Sequence, residues 1–376
     1  MFHMKKARKN EFDLMRAVSM LVIVFFHYSY AFIQYGVGGD PVYFMLHANG
    51  TWGALFVSLF FMLSGSSLYY NWEDRLSGFS GKNGVLSFYL KRFMSIFPMF
   101  YVGWFICYLM NVYSFNFLYN WGGPYIKLLY TLFGMDGYFL YRGLNYYTIG
   151  EWFLGAIIML YILYPLLQWG MKKHPVLFST LILLLFSLNT GRRLIPFMAP
   201  YNSWVQISDN INIITCLMSF WIGMLLMRYN KSLMTGKASY LSFSLSLILS
   251  ILILFVPLPA GTLILTPILS ASIYILLTFL SSFLDGHLKK RKAYDLVTGF
   301  FSRYSYPIFL IHHVVIQKMI TLFTGKEVTF AFSILYFFVT LLVISLAALL
   351  LSKLTDLILK GIRFTVSSLS FSRKRG

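Results

Sequence analysis

Acid is what this sequence has least of. Its 376 residues include 12 Asp and Glu, and all four charged residue types together reach only 11%, under half of the share usual in a soluble domain. With 58% hydrophobic residues, there is more apolar surface than a single core can bury. A water-soluble enzyme is excluded, and lipid must serve as part of the solvent. Cysteine is scarce too. Cys107 and Cys216 both lie in apolar runs, with no metal-binding or redox spacing, so neither a disulfide nor a metal site is expected. A cleavable leader is also missing. The first apolar run carries Arg16 and His27 and lacks a small-residue cleavage site, which makes it a retained helix.

Against the 12 acids stand 31 Lys and Arg, a net charge of +19. In a soluble chain that excess would point to nucleic acid. Between membrane spans it sets topology instead, and no nucleic-acid partner is expected. Apolar runs of spanning length lie at 12–35, 51–71, 94–113, 148–169, 175–190, 211–229, 239–256, 261–283, 303–323 and 329–357, the fifth being short. The apolar segment 124–134 is too short to cross and reads as interfacial or re-entrant. With the N-terminus in the cytoplasm, 24 cations fall on cytoplasmic segments and 5 on outer ones, Lys127, Arg142, Arg192, Arg193 and Lys326. A missed helix would scramble that asymmetry. The expected fold is all-α: one polytopic membrane domain over 1–376, about ten transmembrane helices, both termini cytoplasmic.

Ionisable groups inside spans are costly and mark function. Arg16 and His27 are eleven residues apart, so they share one helix face, ~16 Å apart along the axis. Arg16 sits near the cytoplasmic edge, within reach of Asp13 at i−3. In the ninth span, His312 lies nine residues past Arg303, at nearly the depth of His27, and the pair suggests one shared polar site. The adjacent His313 reads as packing between helices. Lys91 and Arg92 stand at the cytoplasmic mouth of the third span, beside an expected helix start that would suit a phosphate. Glu151 opens the fourth span at its outer edge, either capping the helix N-terminus or orienting a histidine.

The outer segments are aromatic. Residues 113–147 hold Tyr113, Tyr119, Trp121, Tyr125, Tyr130, Tyr138, Tyr141, Tyr146 and Tyr147 with Asn116, Asn120 and Asn145 between them. Residues 191–210 add Tyr201, Asn202, Trp204 and Asp209. Such a mixture suits sugar rings, and it also suits an interfacial aromatic belt.

In order along the chain, these residues resemble the membrane acyltransferase family 3. The first span has Arg16-x10-His27 after Phe-Asp-x-x-Arg-Ala. The second has Phe60-Phe-Met-Leu-Ser64-Gly65. Lys91-Arg92 with Ile96-Phe-Pro98 follows, then Trp152-Phe-Leu with Tyr161 and Pro165, then Ser305-Tyr-Pro-Ile-Phe-Leu-Ile-His312. Each motif is loose alone, and five in the right order are specific. The resemblance implies an O-acyltransferase of the bacterial plasma membrane. It would move an acyl group, usually acetyl, from cytoplasmic acyl-CoA to a hydroxyl of an extracytoplasmic polysaccharide or other surface glycan. It also implies that Arg16 and His27 are essential, that no cofactor is permanently bound, and that a separate extracytoplasmic transferase is a conceivable partner. Two positions depart from the family pattern. Ser95 replaces the second arginine of Arg-x-x-Arg, and Ile157 or Ile158 stands where many members carry an acid, so that either Glu151 serves as the acidic partner of His27 or none is needed.

On this reading Lys91, Arg92, Arg16 and Arg303 hold the CoA headgroup and its pantetheine arm lies along the first helix. The thioester reaches His27, which acts as general base or itself takes the acyl group. His312 and Tyr306 are further polar candidates beside Glu151. The competing function is a transporter or flippase of a lipid-linked glycan or acyl group. The absence of Asp or Glu deep in any span counts against proton-coupled transport.

Overall fold

The computed structural model describes residues 8–38, 45–73, 76, 84–115, 124–191, 211–259, 261–287 and 292–372, the side chains of 112–115 and 366–372 excepted. Arg192, Arg193, Tyr201, Asn202, Trp204, Asp209, Asn116, Tyr119, Asn120 and Trp121 lie outside the described residues, as do Lys5, Lys6, Arg75, Lys82, Lys289, Lys290, Arg291 and the last four residues.

Among the described residues, eight helices are long and apolar enough to cross a membrane: α1 (Asn10–Gln34), α2 (Trp52–Trp72), α3 (Val85–Phe115), α5 (Glu151–Lys173), α9 (Gly236–Phe255), α10 (Thr262–His287), α12 (Ser305–Ile320, extended by one 3-10 turn) and α13 (Phe330–Ser372). Two apolar helices are shorter, α6 (Pro175–Gly191) and α7 (Ile213–Arg228). The remaining short elements are strands β1 (Leu46–His47) and β2 (Gly50–Thr51), and helices α4 (Leu128–Leu132), α8 (Asn230–Met234) and α11 (Lys292–Arg303). An all-helical plan follows from the solvent, because lipid offers no partner to a free backbone N–H or C=O.

The helices show which face meets lipid. On α13, Leu335, Phe338, Leu342, Leu346 and Leu350 are exposed, while Ser333, Thr340, Ile344, Ala348 and Thr355 are buried. The larger apolar side chains face outward and the small and hydroxylated ones inward, the reverse of a soluble helix. Each hydroxyl on the inner face bonds a backbone carbonyl, as Thr340 does to Tyr336 at 2.8 Å.

The tightest seam joins α2 to α7. A Cβ on Gly65 would come 2.1 Å from the Phe220 carbonyl oxygen, and one on Gly223 would come 1.9 Å from the Met62 carbonyl oxygen. The two backbones touch, as small residues permit in membranes. Ser66 donates to the carbonyls of Met62 and Gly223 at 2.9 and 2.7 Å, and Ser58 meets Ser219 at 2.9 Å. This accounts for Gly65 of the Phe-Phe-Met-Leu-Ser-Gly motif: it is a packing residue.

Two element boundaries that bear on the site differ from the sequence reading. α3 begins at Val85, so Lys91 and Arg92 lie nearly two turns inside it, and the helix-terminus argument for an anion no longer applies, since that field fades within the first turn. The ninth apolar run breaks at Tyr304, where an amphipathic helix, α11, gives way to α12. α1 sits at the centre, packed on α2, α10, α11 and α12.

Candidate functional site

Four polar side chains converge where α1, α5 and α12 meet. His27 comes from α1, Glu151 is the first residue of α5, and His312 and His313 come from α12. The carboxylate of Glu151 lies 3.9 Å from His27 Nε2 and 3.7 Å from His312 Nε2, and its Oε1 contacts His313 Nε2 directly. The imidazole centroids of His27 and His312 are 5.2 Å apart, and those of His27 and His313 are 4.0 Å apart. The His312 side chain is 1% exposed and Glu151 13%.

His312 has its tautomer set by the helix. Its Nδ1 bonds the carbonyl of Phe309 at 2.8 Å, so Nδ1 carries the proton and Nε2 presents a lone pair to the cluster. Glu151 is held in place by its backbone. It is the one non-glycine residue with positive φ among those described, at +26°, following Gly150 at +89°. Such a conformation costs about 1–3 kcal/mol and persists where the surroundings impose it. They do here: Gly137 is so close that a Cβ would fall 2.3 Å from the Glu151 carbonyl carbon. The helix N-cap is Gly150, and the Glu151 carboxylate turns to the histidines rather than to the helix end.

From this cluster a cavity of about 230 Å3 runs to Arg16 and Arg92, lined on the way by Ser64, Ile157, Tyr161 and Tyr306. Tyr306 donates its hydroxyl to the Ile96 carbonyl at 2.9 Å. Arg16 Nη2 lies 3.3 Å from Ser67 Oγ and Nη1 lies 3.7 Å from Asp13 Oδ1. Asp13 also contacts Arg8 and accepts from Ser302 at 2.5 Å, which ties α1 to α11. Arg16 and Ser67 line a second cavity of about 700 Å3 as well, together with Arg8, Lys9 and Arg303. Arg16 therefore stands at the neck between a basic vestibule and the inner cavity.

The structure thus brings His27, Glu151, His312 and Tyr306 to one cavity with Arg16 and Arg92, and sets Arg303 in the vestibule. Lys91 goes elsewhere, its Nζ lying 4.8 Å from the Trp72 ring centroid, and it lines neither cavity. Ser95, in the place of an arginine, bonds the Arg92 carbonyl at 2.8 Å. Ile157 lines the cavity in apolar form, and the acid comes from Glu151 on the same helix. His313, read from sequence as a packing residue, is the closest partner of Glu151. Only its adjacency to His312 hinted at this, since neighbours on a helix point about 100° apart. The ligating atoms of His27, Glu151, His312 and His313 lie within 4.8 Å of one another, so these are the described residues able to hold a transition-metal ion. As an acid–base cluster they can accept and stabilise a proton.

The segment before α5, which seats Glu151, carries a buried acid of its own. Asp136 is 1% exposed. Its Oδ1 accepts from Thr131 at 3.1 Å, and Oδ2 has no partner among the described residues. Burial pushes its carboxyl up to about 7, against the opposing effect of the Thr131 bond. A raised folded-state value means that ionisation opposes folding. The penalty is absent below about pH 4, grows as pH rises, and is complete above 7, on the order of 2–4 kcal/mol. Asp136→Asn is expected to raise the thermal unfolding midpoint at pH 8, with the gain shrinking at pH 5. Equal gains at both pH values would show that Asp136 does not ionise in this range.

The chain matches the family described as the acyltransferase domain over residues 9–351. No curated protein and no solved structure matches it.

Proposed function

This chain belongs to the acyltransferase-domain family and is a membrane acyltransferase, and we propose that it carries an acyl group, in the first instance acetyl, from cytoplasmic acyl-CoA to a hydroxyl of an extracytoplasmic polysaccharide or other surface glycan at a bacterial plasma membrane. The observation that supports this most is the inner cavity, which joins Arg16 and Arg92 at one end to His27, Glu151 and His312 at the other. Arg8, Lys9, Arg16 and Arg303 at the vestibule suit the phosphates of the CoA headgroup. The pantetheine arm then passes Arg16 into the cavity and delivers the thioester to His27.

His27 takes the proton of the acceptor hydroxyl as its oxygen attacks the thioester carbon. The new C–O bond forms, the C–S bond breaks, and the leaving CoA thiolate takes the proton from His27, which returns the imidazole to its neutral form. Glu151, 3.9 Å from His27 Nε2, stabilises the imidazolium that forms. The buried Nε2 of His312, 3.7 Å from the same carboxylate, presents a lone pair and is a second position able to take up the proton. The apolar walls keep water from the thioester, which would otherwise hydrolyse it.

The test is thioester turnover by the protein in nanodiscs, supplied with acetyl-CoA labelled in the acetyl group and with envelope glycans. Release of free CoA with label appearing on the glycan is expected. If the folded protein neither binds nor consumes any short-chain acyl-CoA in the presence of acceptor, the donor assignment is wrong and transport of a lipid-linked glycan is the next activity to assay.

A further inference from the structure

Val57 and Trp152 line the inner cavity and also line a second, smaller one of about 30 Å3. They form a shared wall. Behind it the chamber is lined by Ala54 and Phe61 of α2, Cys216 of α7 and Pro267 of α10. Ala54, Val57 and Phe61 recur at helical spacing, so one face of α2 runs along both spaces. Of the hydroxyls that border the chamber, those of Ser58, Ser219 and Thr215 have polar neighbours, and that of Thr266 faces it as well. Ser58 meets Ser219 at 2.9 Å, Ser219 lies 3.4 Å from the Thr215 carbonyl, and Asn189 lies 3.5 Å from Thr215 Oγ1. What remains for an occupant is a mostly apolar lining.

The position of the wall is chemically pointed. Trp152 follows Glu151, whose carboxylate faces the three histidines, so the wall stands beside the place where a thioester carbonyl must react. Other lining of the cavity is packed rings: Phe60 to Phe153 at 6.1 Å and Phe153 to Phe309 at 5.3 Å. The hydrocarbon tail is the part of an acyl-CoA that makes no hydrogen bonds, and it needs an apolar recess next to the carbonyl.

Resting on the acyl-CoA reading above, we propose that the small chamber is the blind end of the acyl pocket, and that Val57 and Trp152 set the acyl chain length by closing it off. With the wall in place, a two-carbon group fits in front of it. Longer chains must displace it to reach the chamber of about 30 Å3 behind.

Val57 is the residue to change, because Trp152 adjoins Glu151. The experiment measures kcat/KM of the full chain in nanodiscs with acetyl-, propionyl-, butyryl- and hexanoyl-CoA. Val57→Ala joins the two spaces and is expected to raise the butyryl-to-acetyl ratio by about 10- to 100-fold, the range for one or two methylenes in an apolar pocket. Ala54→Leu added to Val57→Ala fills the joined space and returns the ratio toward wild type. Val57→Ile moves the wall forward and lowers the propionyl-to-acetyl ratio, a readout independent of whether Val57→Ala folds. Unchanged ratios in the folded Val57 variants, or equal losses at every chain length, overturn the chain-length assignment. Failure of the wild type to turn over any acyl-CoA would instead overturn the donor assignment.

Discussion

His27→Ala should lower acyl transfer by about a thousandfold or more, at the upper part of the range for loss of a general base, while the protein still folds. His27 is the histidine at the convergence of α1, α5 and α12, 3.9 Å from the Glu151 carboxylate, and it lines the cavity that ends at Arg16. Removing an imidazole leaves a gap in a polar cluster, not in the main apolar core, so the thermal unfolding midpoint should move little. Glu151→Gln should lower kcat by a smaller factor, about 10- to 100-fold, with the KM for donor nearly unchanged, because the carboxylate stabilises charge that appears during reaction and sits far from the headgroup site. Single-turnover CoA release, read together with unfolding midpoints, separates these outcomes. A His27→Ala protein within tenfold of wild type would remove histidine as the base.

Among the described glycines, Gly223→Ala should be the most damaging single-methyl change. Its new Cβ would fall 1.9 Å from the Met62 carbonyl oxygen, well inside contact distance, and the obstacle is helix backbone that cannot rotate away. α7 would have to separate from α2, which would break the bond from Ser66 to the Gly223 carbonyl and strain the Ser58–Ser219 pair. The expected loss is about 3 kcal/mol, the upper end for overpacking a close-packed site. Activity should fall with it, since α2 carries Val57, Phe60, Ser64 and Ser67 along the cavity. Thermal unfolding of Gly223→Ala in nanodiscs, beside Gly286→Ala as a control with open space around its Cβ position, measures it. Equal midpoints for the two variants would mean that the seam is not tight in solution.

Much of this protein could be read without coordinates, and for one reason: the bilayer prices groups by position. A charge deep in a span or a span broken by polar residues is expensive wherever the chain folds. Composition alone therefore dictates an all-helical membrane protein, and Arg16, His27 and His312 stand out in their apolar runs. Helical geometry then places Arg16 and His27 on one face. The loose motifs, taken in order, point to the acyltransferase family that the match over residues 9–351 establishes.

Other features depend on contacts between distant segments. Lys91 and Arg92 are neighbours in sequence, yet one turns to Trp72 and the other to the cavity, because side chains a residue apart leave a helix in different directions. Glu151 had two readings of equal standing. Its positive φ and the pressure of Gly137, fourteen residues earlier, turn its carboxylate onto the histidines. His313 seemed a packing residue until α1 and α12 were brought together around that carboxylate. Gly65 and Gly223, 158 positions apart, have a purpose only as a pair. Periodicity and solvent cost act along a single helix, and so the sequence by itself determined which segments cross and which of their residues are anomalous. Which anomalies meet, and at what wall the cavity stops, is decided by how the helices pack against one another, and only the tertiary structure carries that.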